Sequence, residues 1–189
     1  WSAQDETQLA RLIVIIVMGQ AAHAAHILKE LLPTTPSFPN NYLCREAKVK
    51  LTIQEDGKKP RTGYPRWQRD GIIFEAISWI AARQDHGEFA LLTDPHLSAT
   101  SQGLDRFMIE LSDDKSKVVR TTIFEDKCTD NPRKKFLQEV IPALRERHKN
   151  NRSSELVAAA SALLRTAGIA AAASARLAEA VMNRNQRCY

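Results

Sequence analysis

The 189-residue sequence has few of the residues that disulfide-stabilised or disordered proteins use. Its three cysteines, Cys44, Cys128 and Cys188, lie far apart, are odd in number and form no CxxC pair. This argues against a disulfide scaffold or a zinc ribbon and suggests a reducing, cytoplasmic compartment. The seven glycines and eight prolines are too few for low-complexity disorder. We expect one soluble domain, since a chain of this length can bury roughly 70% of its unfolded surface.

Long apolar runs are also lacking. The longest, residues 12–18, is far short of the ~20 residues that a membrane-spanning helix requires. Asp5 and Glu6 stand where a secretory signal carries positive charge. We therefore expect no membrane partner. The chain begins with Trp1 rather than Met, which leaves open that it is part of a longer protein.

Lys and Arg outnumber Asp and Glu by 27 to 22, a net charge of +5 that permits an anionic partner without proving one. Basic residues with interleaved aromatic side chains follow residue 57, and they would either contact phosphates and bases or form a solvated turn. They are Lys58, Lys59, Arg61, Arg66 and Arg69, with Tyr64 and Trp67.

Hydrophobic periodicity predicts a helix over residues 5–32 and a half-buried strand over 46–55. A second, nearly all-apolar helix is expected over 70–83, entered at Asp70 as N-cap. Glu75 lies inside this helix. A carboxylate among apolar neighbours requires a partner or a bound cation, so Glu75 is either ion-paired in the core or functional.

The second half of the chain predicts a β-hairpin and three further helical segments. Residues 104–111 and 118–127 have strand character and are joined by the turn residues 112–117. A helix over 132–149 follows, with Pro132 in its first turn and a kink at Pro142. Residues 154–182 are Ala-rich and helical, with a break at Gly168.

Register arithmetic places two carboxylates opposite each other in this hairpin. Paired residues of an antiparallel hairpin have a constant sum of residue numbers, and a turn at 112–117 sets Asp105 almost opposite Glu125. Because side chains alternate along a strand, Glu125 and Lys127 share one face, whereas Phe124 and Asp126 share the other.

Two adjacent carboxylates repel each other unless a proton or a divalent cation lies between them, and Mg²⁺ prefers oxygen ligands. A nearby ammonium would then orient or deprotonate a metal-bound water. Lysine suits this role because burial can lower its pKa. Such a site can attack a phosphodiester bond.

The order of these features resembles the PD-(D/E)xK (restriction-endonuclease-like) nuclease superfamily. The resemblance covers residues 70–149 and rests on the helix bearing Glu75, the Gly103-Leu104-Asp105 segment, the hairpin, the Glu125-Asp126-Lys127 motif and the following helix. It implies an α/β (α+β) fold with a central mixed β-sheet that contains the antiparallel hairpin and is flanked by helices. The Ala-rich helices replace the core strand expected after the second helix, so that strand would either begin at Arg187 or come from residues 46–55.

The resemblance also implies roles for individual residues. The metal, Mg²⁺ or Mn²⁺, would be held by Asp105, Glu125, Glu75 and the backbone carbonyl of Asp126, and Lys127 would assist the attacking water. The partner would be DNA, with a role in defence against foreign DNA. A homo-oligomer, or a regulating protein or domain, is the further partner that we expect. The residues expected to bind nucleic acid are Arg66, Arg69, Arg133, Lys134, Lys135 and Gln138.

Residues 1–189 are thus expected to form a single nuclease-like domain, with a core at 70–149, an N-terminal helix and strand within 5–55 and a helical extension at 154–182. The alternative is a nucleic-acid-binding or assembly module with the same fold and no cleavage. The plainer interpretation of Asp105, Glu125 and Lys127 is a solvated strand end with surface ion pairs.

Two weaker signals compete. His23 and His26 share a helical face, but no third metal ligand is identifiable, so an ordinary interior or surface pair is favoured. Cys128 follows Lys127, but alternation turns it to the opposite face, where we expect a buried structural thiol.

Overall fold

The computed structural model describes residues 5–55, 57–86, 90–96 and 104–189. The chain divides into two compact units: Trp1–Asp85 with Asp94–Ser101, and His86–Thr93 with Gln102–Tyr189. The single domain expected from the sequence stays a prediction. Within the described ranges, every helix is too short or too polar to cross a membrane.

The first unit begins with two helices where the sequence predicted one over residues 5–32. Helix α1 (Glu6–Val17) starts at Asp5, whose carboxylate accepts the backbone N–H of Gln8 at 2.9 Å. The single-helix prediction was wrong because the chain turns at Gly19, whose φ of 82° ends the helical path. Helix α2 (Ala21–Glu30) follows.

Helix α3 (Asn41–Leu51) occupies most of the segment predicted as a strand over 46–55, so that prediction was wrong. The Asn40 side chain accepts the N–H groups of Tyr42 and Leu43 and starts the helix. The Ala, Lys, Glu and Leu residues that follow are good helix formers. The alternation of polar and apolar residues therefore did not indicate which side chains are buried. The buried pair is Ala47 and Lys50, which are three residues apart and lie on one face of the helix.

Helix α4 (Arg66–Asp85) confirms the predicted apolar helix but begins four residues earlier than expected. Asp70 is therefore not its N-cap. The Asp70 carboxylate lies inside the helix, 3.5 Å from Nε of Arg66 and 3.0 Å from Nε of Arg69. The buried side of α4 packs within the first unit through Ile72, Ala76, Trp79, Ile80 and Ala82.

The second unit contains a four-stranded sheet in its described residues, with the order β1-β2-β3-β4. The strands are β1 (Ala90–Leu92), β2 (Arg106–Leu111), β3 (Val118–Phe124) and β4 (Arg187–Cys188). Strands β1, β2 and β3 pair antiparallel, whereas β4 pairs parallel with β3. The predicted α+β fold with a mixed sheet is confirmed, and its last strand lies at Arg187 rather than within 46–55.

The hairpin register is the one predicted. Arg106 lies opposite Phe124 and Met108 lies opposite Thr122, and the register shifts only at Glu110/Leu111, towards the turn. Both strands are shorter than predicted, so Asp105 and Glu125 lie one residue beyond the paired ends. Gly103, named with Asp105 in the sequence motif, lies outside the described residues.

The predicted helix over 132–149 is continuous but changes its hydrogen bonding. Helix α5 (Pro132–Lys135) starts at Asn131, a π-helical segment (Phe136–Val140) follows, and α6 (Ile141–His148) carries Pro142 in its first turn. Because Pro142 has no N–H to donate and its ring crowds the preceding turn, the wider π-helical turn lies directly before it.

The Ala-rich region forms α7 (Ser153–Thr166) and α8 (Ala171–Ala180). The break between the two helices contains Gly168, whose φ is 75°. This break is where the sequence predicted it. One face of the hairpin packs with these helices in a common core. Its buried members are Phe107, Ile109, Leu111, Val118, Ile123, Leu156, Ala160, Leu164, Leu177, Ala178 and Val181.

Candidate active site

Three charged side chains converge where the hairpin strands end. The Lys127 Nζ lies 2.7 Å from Oε1 of Glu125 and 3.4 Å from Oδ2 of Asp105. This follows from the register, because Asp105 and Glu125 continue the paired positions Arg106 and Phe124 by one residue. A single ammonium thus contacts both carboxylates.

The backbone also holds Asp105 in place. Its Oδ2 accepts the N–H of Asp126 at 2.7 Å, in addition to its contact with Lys127. A carboxylate that accepts a backbone N–H has little rotational freedom. The hairpin backbone therefore orients one of the two candidate metal ligands.

The opposite face of the hairpin carries a second ion pair. The Arg106 guanidinium is fully buried, lies over the Phe124 ring at 5.0 Å and contacts Oδ2 of Asp126 at 2.5 Å. The predicted alternation is confirmed, since Asp126 and Phe124 share a face that Glu125 and Lys127 do not. The Asp126 carboxylate is thus engaged by Arg106, and the metal role of its backbone carbonyl stays a prediction.

Arg147 is a member of the cluster that sequence reasoning missed. Its guanidinium is 2% exposed and lies between two acids, with Nη2 3.6 Å from Oε2 of Glu125 and Nη1 3.4 Å from Oε2 of Glu155. Its backbone carbonyl oxygen accepts a hydrogen bond from Nη1 of the buried Arg187, with 2.8 Å between the two atoms. The only sequence signal was a basic last turn of a helix, which is typical of exposed residues as well.

The balance of forces keeps Lys127 charged. Partial burial alone would lower the pKa of its ammonium, but the hydrogen bond to Glu125 and the negative charges of Asp105 and Glu125 outweigh burial and raise that pKa. The net change in the Lys127 pKa is therefore upward, opposite to the lowering by burial that makes lysine suitable for activating water. In this arrangement the ammonium donates hydrogen bonds and stabilises negative charge, and it is not a proton acceptor.

Glu75 has its own partner within the first unit. Its Oε1 accepts the backbone N–H of His96 at 2.7 Å and lies 3.3 Å from Nδ1 of the same residue. The carboxylate is therefore stabilised where it lies in α4 by a hydrogen bond from the backbone. Its role as a metal ligand stays a prediction.

The residues expected to bind nucleic acid differ in their surroundings. Arg66 and Arg69 of the first unit both contact Asp70. In the second unit, Lys135 pairs with Glu139 at 2.6 Å. Arg133, Lys134 and Gln138 are exposed on the helical segments after the hairpin.

The weaker signals have structural explanations. The His23 Nε2 hydrogen bonds with the backbone carbonyl of Thr35 at 2.9 Å, which links α2 to the connector after it. Cys128 is exposed, so the expected buried thiol was wrong. Strand β3 ends at Phe124, four residues before Cys128. The alternation of side chains between strand faces therefore does not determine whether Cys128 is buried.

The described residues offer two carboxylates for a metal at the hairpin end. Across those residues, no three His, Cys, Asp or Glu side chains come together as a group that could hold a metal ion. Asp105 and Glu125 nevertheless suit Mg²⁺, which commonly takes one or two protein carboxylates and fills its octahedron with waters and substrate phosphate oxygens. Oε2 of Glu125 is buried and accepts no hydrogen bond.

No protein-family model, curated protein or solved structure matches this chain.

Proposed function

We propose that this protein is a metal-dependent endonuclease that hydrolyses DNA phosphodiester bonds at Asp105, Glu125 and Lys127. The observation that carries the proposal is the contact of one ammonium, Lys127, with both carboxylates at the end of a hairpin. These three groups are what two-carboxylate phosphodiester hydrolysis needs in one place.

Asp105 and Glu125 would hold Mg²⁺ or Mn²⁺, and the backbone carbonyl of Asp126 would be a further ligand. A divalent cation there would lower the pKa of a bound water and neutralise charge that develops on the phosphate. Lys127 would orient the water and stabilise the anion, because its raised pKa keeps it protonated. Arg147 is a positioning residue that contacts Oε2 of Glu125.

Room for a substrate exists beside Glu125. A cavity of about 720 Å³ adjoins Glu125 and Asp126, a volume in the usual range for ligand sites. Its lining includes the aromatic rings of Phe136 and Tyr189 and the basic side chain of Arg145. A nucleotide next to the scissile phosphate would find apolar surface for its base and a cation for its backbone.

Arg133 and Lys134 begin the helix that follows the hairpin, and we propose that they contact the DNA backbone. We propose the same DNA contact for Lys135, Gln138, Arg66 and Arg69. A cytoplasmic location and a role in defence against foreign DNA are part of the proposal too. The location is supported by three exposed cysteines that form no disulfide in the described part of the chain.

One observation favours a second function, nucleic-acid binding or assembly without cleavage. Glu125 is already neutralised by Lys127 and Arg147. A carboxylate with two cationic partners is stable without a metal. The two functions differ in whether Lys127 is needed for chemistry.

Plasmid cleavage distinguishes the two functions. Supercoiled DNA incubated with the protein and Mg²⁺ or Mn²⁺ should be nicked or linearised, and EDTA should abolish the reaction. Lys127→Ala should abolish cleavage while thermal unfolding stays cooperative. Lys117→Ala is the matched control, since Lys117 is an exposed lysine at the other end of the same hairpin. Intact plasmid with every metal, together with salt-dependent DNA binding that ignores Lys127→Ala, would establish the second function instead.

A further inference from the structure

A basic, aromatic surface of the first unit carries an inference that is independent of cleavage. Residues 42–70 contain eight Lys or Arg against four Asp or Glu, a net charge of +4 of the chain's +5. The rest of the sequence is therefore nearly neutral. Because charge distribution steers association, an anionic partner is attracted to this segment before any other.

Several of these cations are not neutralised locally. The segment's acids contact other lysines and arginines: Glu46 with Lys50 at 2.7 Å, Glu55 with Lys58 at 2.7 Å, and Asp70 with Arg69 at 3.0 Å. In the part of the chain that the structure describes, no acidic side chain pairs with four exposed cations of the segment, Arg45, Lys48, Lys59 and Arg61. A phosphate can reach these four without first breaking an ion pair.

Aromatic rings lie among the cations. The Arg61 guanidinium lies over the Tyr64 ring, 4.2 Å from its centroid, an arrangement that holds the charge in a fixed direction. Trp67, at the start of α4, is 63% exposed. Trp67 follows Arg61 by six residues, and an exposed indole together with a fixed cation is the combination that binds an unpaired base and its phosphate.

The loop that carries Arg61 is ordered before any ligand arrives. We call residues 57–64 the Arg61 loop. One side chain, Gln54, spans it: its amide nitrogen donates to the carbonyls of Lys58 and Pro60, and its amide oxygen accepts the N–H groups of Thr62 and Gly63, all at 2.7–3.1 Å. A preorganised loop loses little conformational entropy on binding.

We propose that the Arg61 loop and Trp67 form a binding site for single-stranded DNA. An unpaired base stacks on the Trp67 indole, and Lys59 and Arg61 contact the flanking phosphates. Duplex DNA is disfavoured because its bases are already stacked on each other and cannot cover the indole. The site differs from the cleavage site in its residues, so either assignment can fail without the other.

The test is binding of a labelled single-stranded oligonucleotide to the full chain in EDTA, followed by anisotropy. Trp67→Ala should weaken binding about 5- to 100-fold. Trp67→Phe, which keeps a ring, should bind within a few-fold of wild type. Arg61→Ala should lower the slope of log affinity against log salt by about 0.7, the value for one phosphate contact on a single strand. Arg61→Lys should keep that slope while losing affinity, because a lysine cannot stack.

Matched controls come from equally exposed residues elsewhere. Phe38 is 61% exposed in the same unit, and Arg176 is exposed on α8 of the second unit. Phe38→Ala and Arg176→Ala should leave affinity unchanged.

Four results would overturn the proposal. They are unchanged affinity in both Trp67→Ala and Arg61→Ala, equal competition by duplex DNA or inorganic polyphosphate, tighter binding of the matching RNA, and equal binding to vesicles of anionic lipid. Loss of plasmid cleavage in Lys127→Ala with oligonucleotide binding intact would leave both proposals standing. Absence of cleavage with binding intact would remove the nuclease alone.

Discussion

Arg147 and Glu125 lie 3.6 Å apart, although they belong to helix α6 and to the end of the hairpin. Arg147 also contacts Glu155 of α7, so one buried guanidinium joins three elements of the second unit. This contact makes the candidate site and the stability of the unit depend on the same side chain.

Arg147→Met should therefore destabilise the protein. Glu125 keeps Lys127 as a partner at 2.7 Å but loses its contact with the buried guanidinium, and the loss of such an interaction with a charged group costs about 1–3 kcal/mol. Urea denaturation of the full chain measures the loss. Arg145→Met, an exposed neighbour on the same helix, is the control and should change the free energy of unfolding by less than about 0.5 kcal/mol. A similar effect for both variants would contradict a buried role for Arg147.

Glu125→Gln should separate charge from shape at the site. The amide keeps the size of the side chain but removes the negative charge, so the Lys127 pKa should fall and cleavage with Mg²⁺ should be lost. The pKa is measured by NMR of the lysine side chain. Glu139→Gln, which removes an exposed partner of Lys135, should leave the Lys127 pKa and the cleavage rate unchanged. An unchanged Lys127 pKa in Glu125→Gln would show that this ion pair does not exist in solution.

The alkaline stability of the protein should also depend on Lys127. Its pKa in the folded protein is raised above the ordinary value of 10.5. The native state therefore retains the proton more strongly than the unfolded chain, and the stabilisation is complete below pH 10.5 and is lost as pH rises through the folded pKa. The difference in urea midpoint between wild type and Lys127→Met should shrink over that range. A difference that is constant with pH would contradict the ion pairs.

Substitution by alanine should have opposite effects on the stability of the protein at two glycines. A Cβ at Gly63 would lie 2.6 Å from the backbone oxygen of Thr52, so Gly63→Ala should destabilise by about 1–3 kcal/mol and disturb the Arg61 loop. A Cβ at Gly71, inside α4, meets nothing within 4 Å. Gly71→Ala should stabilise by about 0.5–1 kcal/mol, since alanine favours the helix. Thermal unfolding of the pair tests both, and a loss of stability in Gly71→Ala would contradict the helix start at Arg66.

The hairpin shows how far local sequence rules extend. A two-residue alternation and one turn composition were enough to place Asp105 opposite Glu125, because register in a short hairpin depends only on its turn. Helix ends at Pro132 and Gly168 were equally local, since each reflects a backbone restriction of a single residue.

Local rules failed where two patterns competed. Residues 46–55 alternate like a strand, yet α3 forms because an Asn40 cap and good helix formers are reinforced by burial of Ala47 and Lys50 on one helical face. The start of α4 was missed for a similar reason: Asp70 is a good cap residue, but contacts with Arg66 and Arg69 stabilise it inside the helix.

The sequence by itself determined the hairpin, its register and the face shared by Glu125 and Lys127, since these depend on neighbours within about twenty residues. Only the tertiary structure decided that Arg147 contacts Glu125, that Glu75 binds His96 and that the Lys127 pKa is raised. Each of these depends on which distant charges meet in a partly buried space, and the energy of a charge is determined by its partners and its solvation rather than by its position in the chain.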